Sequence, residues 1–325
     1  MVKRRMATGG STLARHVVAC MTEAQTKRSP RRVGAVLMYH GIAEDPEDRG
    51  QSTSPRLSLA SFRTGLEHLR RSYDVVPAHE LYQRIERRTR TARIPVALTF
   101  DDDLESHHSI VAPLLMELGL PASFFLTGSG LQGPPAFWWD DLDELYARGQ
   151  RREVLREAGL GADRLALKAP IGMVSKTIQM MAPERRDKLA QRLREMVGVA
   201  PREPGLSAAN VRKLAADGFE IGFHTRSHYQ LQTLSDHALE QALRDGLGDL
   251  AEAAGRPIVG IAYPHTGADL RVAAAAAAAG FELGFTGNNR PVRPDDHPLL
   301  TERIDAWPCT ADGFAFRLAR TLAAV

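Results

Sequence analysis

Short, uninterrupted apolar runs separated by amphipathic stretches constrain this 325-residue chain most. "RVGAVLMYH" (32–40), "IPVALTF" (94–100) and "PASFFLT" (121–127) each have the pattern of a strand buried on both faces. "FEIGFH" (219–224), "PIVGIAYP" (257–264) and "FELGFT" (281–286) repeat it. Helical spacing fills the intervals. A helix is predicted over 58–73 with Ser58 or Ser61 as cap, and others over 106–120 ending near Gly119 and over 207–218 between Ser207 and Gly218. A long helix is predicted over 235–254, and an alanine helix over 271–280 stopped by Gly280. This alternation implies βα units, a parallel sheet of about seven strands and an α/β fold, either an open doubly wound sheet or a closed barrel. The rhythm breaks at about 131–205, where the residues read as a helical insertion between strands, not a separate domain. Residues 1–32 read as a poorly ordered tail.

Composition removes several function classes. The net charge is +3 and the basic residues are scattered apart from "KRR" at 3–5 and "KRSPRR" at 27–32, so nucleic acid is not an expected partner. Cys20 and Cys309 are the only cysteines, in no metal-type spacing, and read as free thiols in a reducing compartment. Arg15 and His16 interrupt the one apolar stretch near the N-terminus, which argues against a secretory signal. No window approaches the roughly 18–20 apolar residues of a membrane span. The expected location is the cytoplasm.

The polar residues of interest close the buried strands: His40, the run Asp101–Asp103, "HTRSH" (224–228) and "YPHTG" (263–267). In either α/β architecture, ligands collect at that rim. Two histidines four apart lie on one face of a helical turn, so both rings reach one cation. Two imidazoles and a carboxylate leave coordination positions open, as in sites that activate water. Hydrolysis by such water needs a base nearby. Of adjacent carboxylates, one binds the metal while its neighbour accepts the proton, and the cation offsets their repulsion.

"TFDDD" (99–103), "HTRSH" and "AYPHTG" (262–267), in that order, resemble the polysaccharide deacetylase family, the NodB-homology domain of carbohydrate esterase family four. "LMYHGI" (37–42) and "FWWDDLDELY" (137–146) are similar to the branch associated with bacterial surface-polysaccharide gene clusters. The resemblance covers roughly residues 33–305 and implies a distorted (β/α)7-type barrel, with 33–325 as the barrel and its helical insertion. It implies Asp101 as catalytic base, with Asp102, His224 and His228 as ligands of zinc or another divalent transition metal such as cobalt or nickel. Thr225 takes the Ser/Thr slot, its hydroxyl steadying the loop. Pro264 matches the third motif, and the backbone N–H of His265 is the implied oxyanion donor. The implied reaction is attack of metal-activated water on an N-acetyl carbonyl, releasing acetate and a free amine. The implied partner is an N-acetylated sugar, glycolipid or polysaccharide.

Several positions depart from the family pattern. Asp103 stands where glycine is usual and reads as a solvated turn residue, or as a charge that tightens metal binding or raises the pKa of Asp101. The third motif starts at Ile261 and carries one extra residue; no arginine beside Pro264 is available to orient the base. "LLTERIDAW" (299–307) lacks the histidine that supplies the general acid, and His297 only precedes it. His40 takes that role, its alternative being a core histidine satisfied by a backbone carbonyl. His107 and His108 read as surface or rim residues. Trp138 and Trp139 either stack on a sugar or pack the helices. Arg303 and Asp305 end the last strand and receive no chemistry. Alternative functions are a non-catalytic carbohydrate-binding barrel, a deformylase or amidase using the same machinery, and a metal phosphoesterase, which needs more ligands than this rim offers.

Overall fold

The described residues form ten strands, the longer ones from the apolar runs: β1 (Ala35–Tyr39), β2 (Ile42–Ala43), β3 (Leu57–Ser58), β4 (Asp74–Val75), β5 (Pro95–Asp101), β6 (Ser123–Leu126), β7 (Glu220–Phe223), β8 (Gly260–Ala262), β9 (Leu283–Phe285) and β10 (Ile304–Asp305). The structure is a computed structural model and describes residues 32–44, 52–54, 56–133, 137–161, 163, 166–198, 205–306 and 311–323. Residues 1–31 of the expected tail, Cys20 and Cys309 lie outside the described residues. The main sheet runs β10-β1-β5-β6-β7-β8-β9, with β4 added beside the start of β5 and β2-β3 as a separate pair. All its strand pairs are parallel. The sheet curls into a half-barrel, the NodB-type (β/α) architecture that the motifs imply. Beyond its last strand, Phe285 bridges Thr301, a few residues ahead of β10.

Helices cover the outside: α1 (Leu59–Ser72), α2 (Leu81–Arg87), α3 (Ala112–Leu118), then α4 (Trp138–Ala147), α5 (Arg151–Glu157), α6 (Ile171–Gln179) and α7 (Pro183–Val197). Then α8 (Ala208–Ala216) leads into β7, and after β7 come α9 (Asp236–Arg244), α10 (Leu247–Ala254), α11 (Leu270–Ala278) and α12 (Ala311–Ala323). Local chemistry sets several ends. The Ser58 hydroxyl accepts from Ser61 N–H, and Ser207 and Asn210 form a capping box. The single helix predicted over 235–254 is two, because the chain turns at Gly246 with φ 79°. The helix predicted over 106–120 opens as a π turn, His107–Val111; Pro113, lacking an N–H, interrupts the regular ladder there. Among the described residues no helix is long and apolar enough to cross a membrane.

Side-chain alternation divides the core into two layers. Leu37, Leu98, Phe100 and Phe124 face the surrounding helices, where the Tyr39, Phe100 and Phe124 rings stack at 5.1 Å centroid spacings. Val36, Ala97, Phe125, Ala262 and Phe285 fill the interior. Residues two apart share a face, so His40 follows Val36 inward and Asp101 follows Ala97. Between β6 and β7 the chain forms α4–α7, with no strand among the described residues and an apolar cluster of its own that includes Trp138, Leu142, Leu145, Ile178 and Leu193.

Gly222 of β7 is the close-packing point of the interior. A Cβ there would lie 2.3 Å from the Phe125 ring and 3.2 Å from the Gly260 carbonyl. Gly222→Ala therefore has to displace Phe125, and overpacking of this kind costs about 1–3 kcal/mol. Urea unfolding should show a lower midpoint at unchanged m-value; an unchanged midpoint would mean that the interior yields.

Candidate active site

Parallel pairing brings the strand-end residues to one rim. Tyr39 pairs with Phe100, so His40 leaves β1 beside Asp101. Asp102 N–H donates to the Phe125 carbonyl and His224 N–H to the Leu126 carbonyl, which places "DDD" and "HTRSH" on either side of β6. There, Oδ1 of Asp102 lies 3.7 Å from His224 Nε2 and 3.5 Å from His228 Nε2, and the two Nε2 atoms are 3.1 Å apart. A tetrahedral ion with ligand distances of roughly 2.0–2.1 Å requires its ligands about 3.3 Å apart, so this spacing suits one cation. His224 Nδ1 donates to the Ala262 carbonyl at 2.8 Å, leaving the Nε2 lone pair directed at the site. Asp102 Oδ1 is buried without a hydrogen-bond partner among the described residues.

The electrostatics fit the same donor set. Burial, then repulsion from Asp101 and Asp103, drives the Asp102 pKa well above the ordinary carboxylate range. A cation between it and the histidines would offset both effects. Burial lowers the pKa of His224, and lowers that of His228 further with help from His265 and His224, so both imidazoles are neutral and able to ligate. The Asp, His and His side chains therefore fit a divalent transition metal.

Asp101 solves its burial differently. Burial pushes its pKa up, but the Arg303 guanidinium, with His224, outweighs this and holds it at about 2. Arg303 is fully buried and donates to Asp101 through two parallel hydrogen bonds, Nη1 to Oδ1 and Nη2 to Oδ2, each 2.7 Å. Its Nε donates to the Thr286 carbonyl at 3.0 Å and its Nη1 also reaches the Thr99 hydroxyl at 3.2 Å. Arg303 is thus the orienting arginine that is absent beside Pro264. It immediately precedes β10 and reaches Asp101 through the interior.

The structure corrects several expectations. Asp103 is not a solvated turn residue: it is buried, and its carboxylate accepts from Thr127 N–H (2.8 Å) and Oγ1 (2.7 Å), Gly130 N–H (3.0 Å) and Ser129 Oγ (3.2 Å). It pins the loop after β6, and the left-handed residue of the aspartate run is Asp102, φ 75°, not Asp103. "HTRSH" is a tight turn rather than a helical one, with Thr225 at φ 55° and His228 at φ 48°. The Thr225 hydroxyl does not steady the loop, being buried without a partner among the described residues. His107 is a core residue between Phe100 and Phe124, its pKa pushed down to about 3 by burial, and not a rim residue. His297 is exposed and accepts from Leu299 N–H through Nδ1, outside the site.

His40 is half-buried and lines the same cavity as Asp101, Asp102 and the two histidines, a space of about 130 Å³. His265 lies in the short 3-10 turn Pro264–Thr266 at φ 56°, and its ring stands edge-on to His228 at 4.5 Å. Burial and the nearby Arg186 push its pKa down to about 3. The helical insertion supplies the facing wall through Trp139, Ser175 and Gln179, the last two of which no sequence signal marked. Trp139 stacks on Phe137 at 4.4 Å and packs against His228 at 4.7 Å. Its contacts are those of a wall, not of a free platform for a sugar ring.

The polysaccharide deacetylase family model matches residues 186–284, a span that contains His224, His228 and Pro264 but not the aspartate run. No curated protein matches the chain. Among solved structures, the chain is similar to the Streptococcus pyogenes deacetylase PplD in complex with acetate, at 17% identity and TM-score 0.58, over 90% of this chain and 99% of that one. It is similar to IcaB from Ammonifex degensii at 19% identity and TM-score 0.57, over 90% and 97% of the two chains. A polysaccharide deacetylase from Bacillus cereus matches at 17% identity and TM-score 0.58, over 88% and 69%. The resemblance of the chain to the polysaccharide deacetylase family is thus borne out by the family model, and its fold is the one these deacetylases share.

The Arg303–Asp101 pair makes a signed prediction. Removing one partner of a buried ion pair costs about 3–5 kcal/mol, and Arg303→Leu should lose on that order at neutral pH. With its folded-state value near 2 against an ordinary 3.8, Asp101 in the parent protein adds stability that is complete above the ordinary value and lost as pH falls through about 2. In the variant, burial acts unopposed and the sign reverses, so the stability deficit should shrink as pH falls from 7 towards 4. Denaturant unfolding of the metal-free proteins checks this; an equal deficit at both pH values would assign Arg303 a packing role instead.

Proposed function

We propose that the protein is a metal-dependent hydrolase that removes an N-acetyl group from an N-acetylated sugar or polysaccharide precursor. The observation that carries this reading is the meeting, at one rim, of a three-donor cluster, Asp102, His224 and His228, with an anionic carboxylate locked beside it by Arg303. The acetate held by the Streptococcus pyogenes deacetylase of the same fold is the product that such a reaction releases.

Asp102, His224 and His228 would hold zinc or a similar divalent ion, which when bound polarises a carbonyl oxygen and acidifies water. Asp101 is ionised throughout the neutral range and takes the proton of the attacking water. Its Oδ2 lies 4.0 Å from His224 Nε2, so the proton acceptor stands next to the donor cluster. Arg303 fixes the plane of that carboxylate and keeps it charged. The N–H of His265, in the short turn after β8, would donate to the oxygen on which negative charge develops. His40, which follows β1 and lines the same cavity, gives a proton to the departing nitrogen as the C–N bond breaks. A cavity of about 130 Å³ is small beside the ~300–1,000 Å³ of drug-sized ligand sites and suits an acetamido group with part of one ring. The remaining sugar would meet Ser175 and Gln179.

Acetate release from a panel of N-acetylated sugars, with metal-stripped protein reloaded with zinc or cobalt, tests the reading. Release should require metal, and Asp101→Asn should lower kcat by about 10²–10⁴-fold while metal content stays at one equivalent. Formate release from N-formyl sugars alone would redirect the assignment to a deformylase. Stoichiometric metal with no turnover of any substrate would favour a carbohydrate-binding barrel.

A further inference from the structure

The two histidines of the donor cluster are held in different ways. His224 has the usual second contact of a ligating imidazole, its Nδ1 on a backbone carbonyl. His228 has none: its Nδ1 is buried and unpaired among the described residues. Its backbone lies in the left-handed region, which is unfavourable for a non-glycine residue. Something else must therefore set its orientation.

That support comes from the helical insertion. Arg186 of α7 is buried and reaches across to the ligand turn, Nη1 donating to the His228 carbonyl and Nη2 to the Ser227 carbonyl, each at 2.7 Å. Its guanidinium lies 4.0 Å over the Tyr229 ring, and the Tyr229 hydroxyl donates to Asp187 at 2.6 Å. Consecutive residues of α7 thus grip three consecutive residues of the turn. The His228 ring is meanwhile packed between Trp139 of α4 and His265.

We propose that Arg186 is a positioning residue for His228, so that the helical insertion sets the metal affinity of the barrel site. This rests on the reading of Asp102, His224 and His228 as a metal centre. A planar fork that spans two adjacent carbonyls fixes the peptide from which the ligand departs, whereas a lysine ammonium offers no such matched pair of donors.

The test is titration of the metal-free full-length protein with zinc against a competing chelator, together with absorption spectra of the cobalt-substituted forms. Loss of a contact that orients a ligand typically weakens metal binding by 10–100-fold. Arg186→Gln should weaken zinc binding within that range and shift the cobalt bands, with Arg186→Lys intermediate in both. A merely structural role would lower the thermal midpoint of the metal-free variants while affinity and spectrum stay at parent values, and that result overturns the proposal. Should Arg186→Gln fail to fold, Arg186→Lys decides: parent-like affinity and spectrum overturn the proposal, weakened binding with shifted bands supports it. Failure of the parent protein to bind zinc would instead overturn the metal reading itself, and the positioning role with it.

Discussion

Three consecutive carboxylates are buried at the end of β5, and each must be reconciled with burial separately. An isolated ionised carboxylate is too costly to bury, and neighbours of the same sign raise the cost. Arg303 meets Asp101 with a bidentate ion pair, and backbone and hydroxyl donors of the loop after β6 meet Asp103. Asp102 lies against two neutral imidazoles, and its Oδ1 has no hydrogen-bond partner among the described residues. Two of the three charges are satisfied within the protein. The third is left for the cation that the proposed function requires. Much of the surrounding architecture follows from these solutions: Arg303 reaches Asp101 only because the sheet curls, and Asp103 ties the head of the helical insertion to the barrel.

The legible part of the fold was local. Continuous apolar runs identified the strands of the main path except the two-residue β10, and side-chain alternation along β1 and β5 already implies that His40 and Asp101 share a face. Cap residues such as Ser58 and Ser207 marked helix starts correctly. What the sequence hid was either distant or conformational. Arg303 is 202 residues from its partner, and only curling of the sheet makes the two neighbours. Asp103 had the composition of a turn, and its burial depends on donors from Thr127 and Gly130. His107 turns inward at a π turn that periodicity does not reveal, and the break at Gly246 needed a left-handed glycine inside an otherwise continuous pattern.

The expected HxxxH pair comes together through a local geometry other than the helical one. The histidines do converge, with Nε2 atoms 3.1 Å apart, but through left-handed residues rather than helical spacing. Asp102, Thr225, His228, His265 and Thr266 all have positive φ, and all lie at or beside the candidate site. Strain of this kind persists only where surrounding contacts over-determine the backbone. A strand end that turned in an ordinary conformation would carry its next side chain along the strand; these turns direct it across the rim.

Over-determination requires contacts from more than one direction, and this gives the helical insertion a physical purpose. A short rim turn has few partners of its own. For His224 the barrel suffices, because Ala262 on the adjacent strand presents a carbonyl at the right height. His228 lies four residues further from the strand, beyond the reach of the sheet's own backbone, and is held by Arg186, Trp139 and His265 instead. The further a ligand stands from the regular part of the fold, the more its position depends on elements packed over the rim. On this argument α4 and α7 are part of the site's scaffold, and the distance of His228 from β7 is what makes them so.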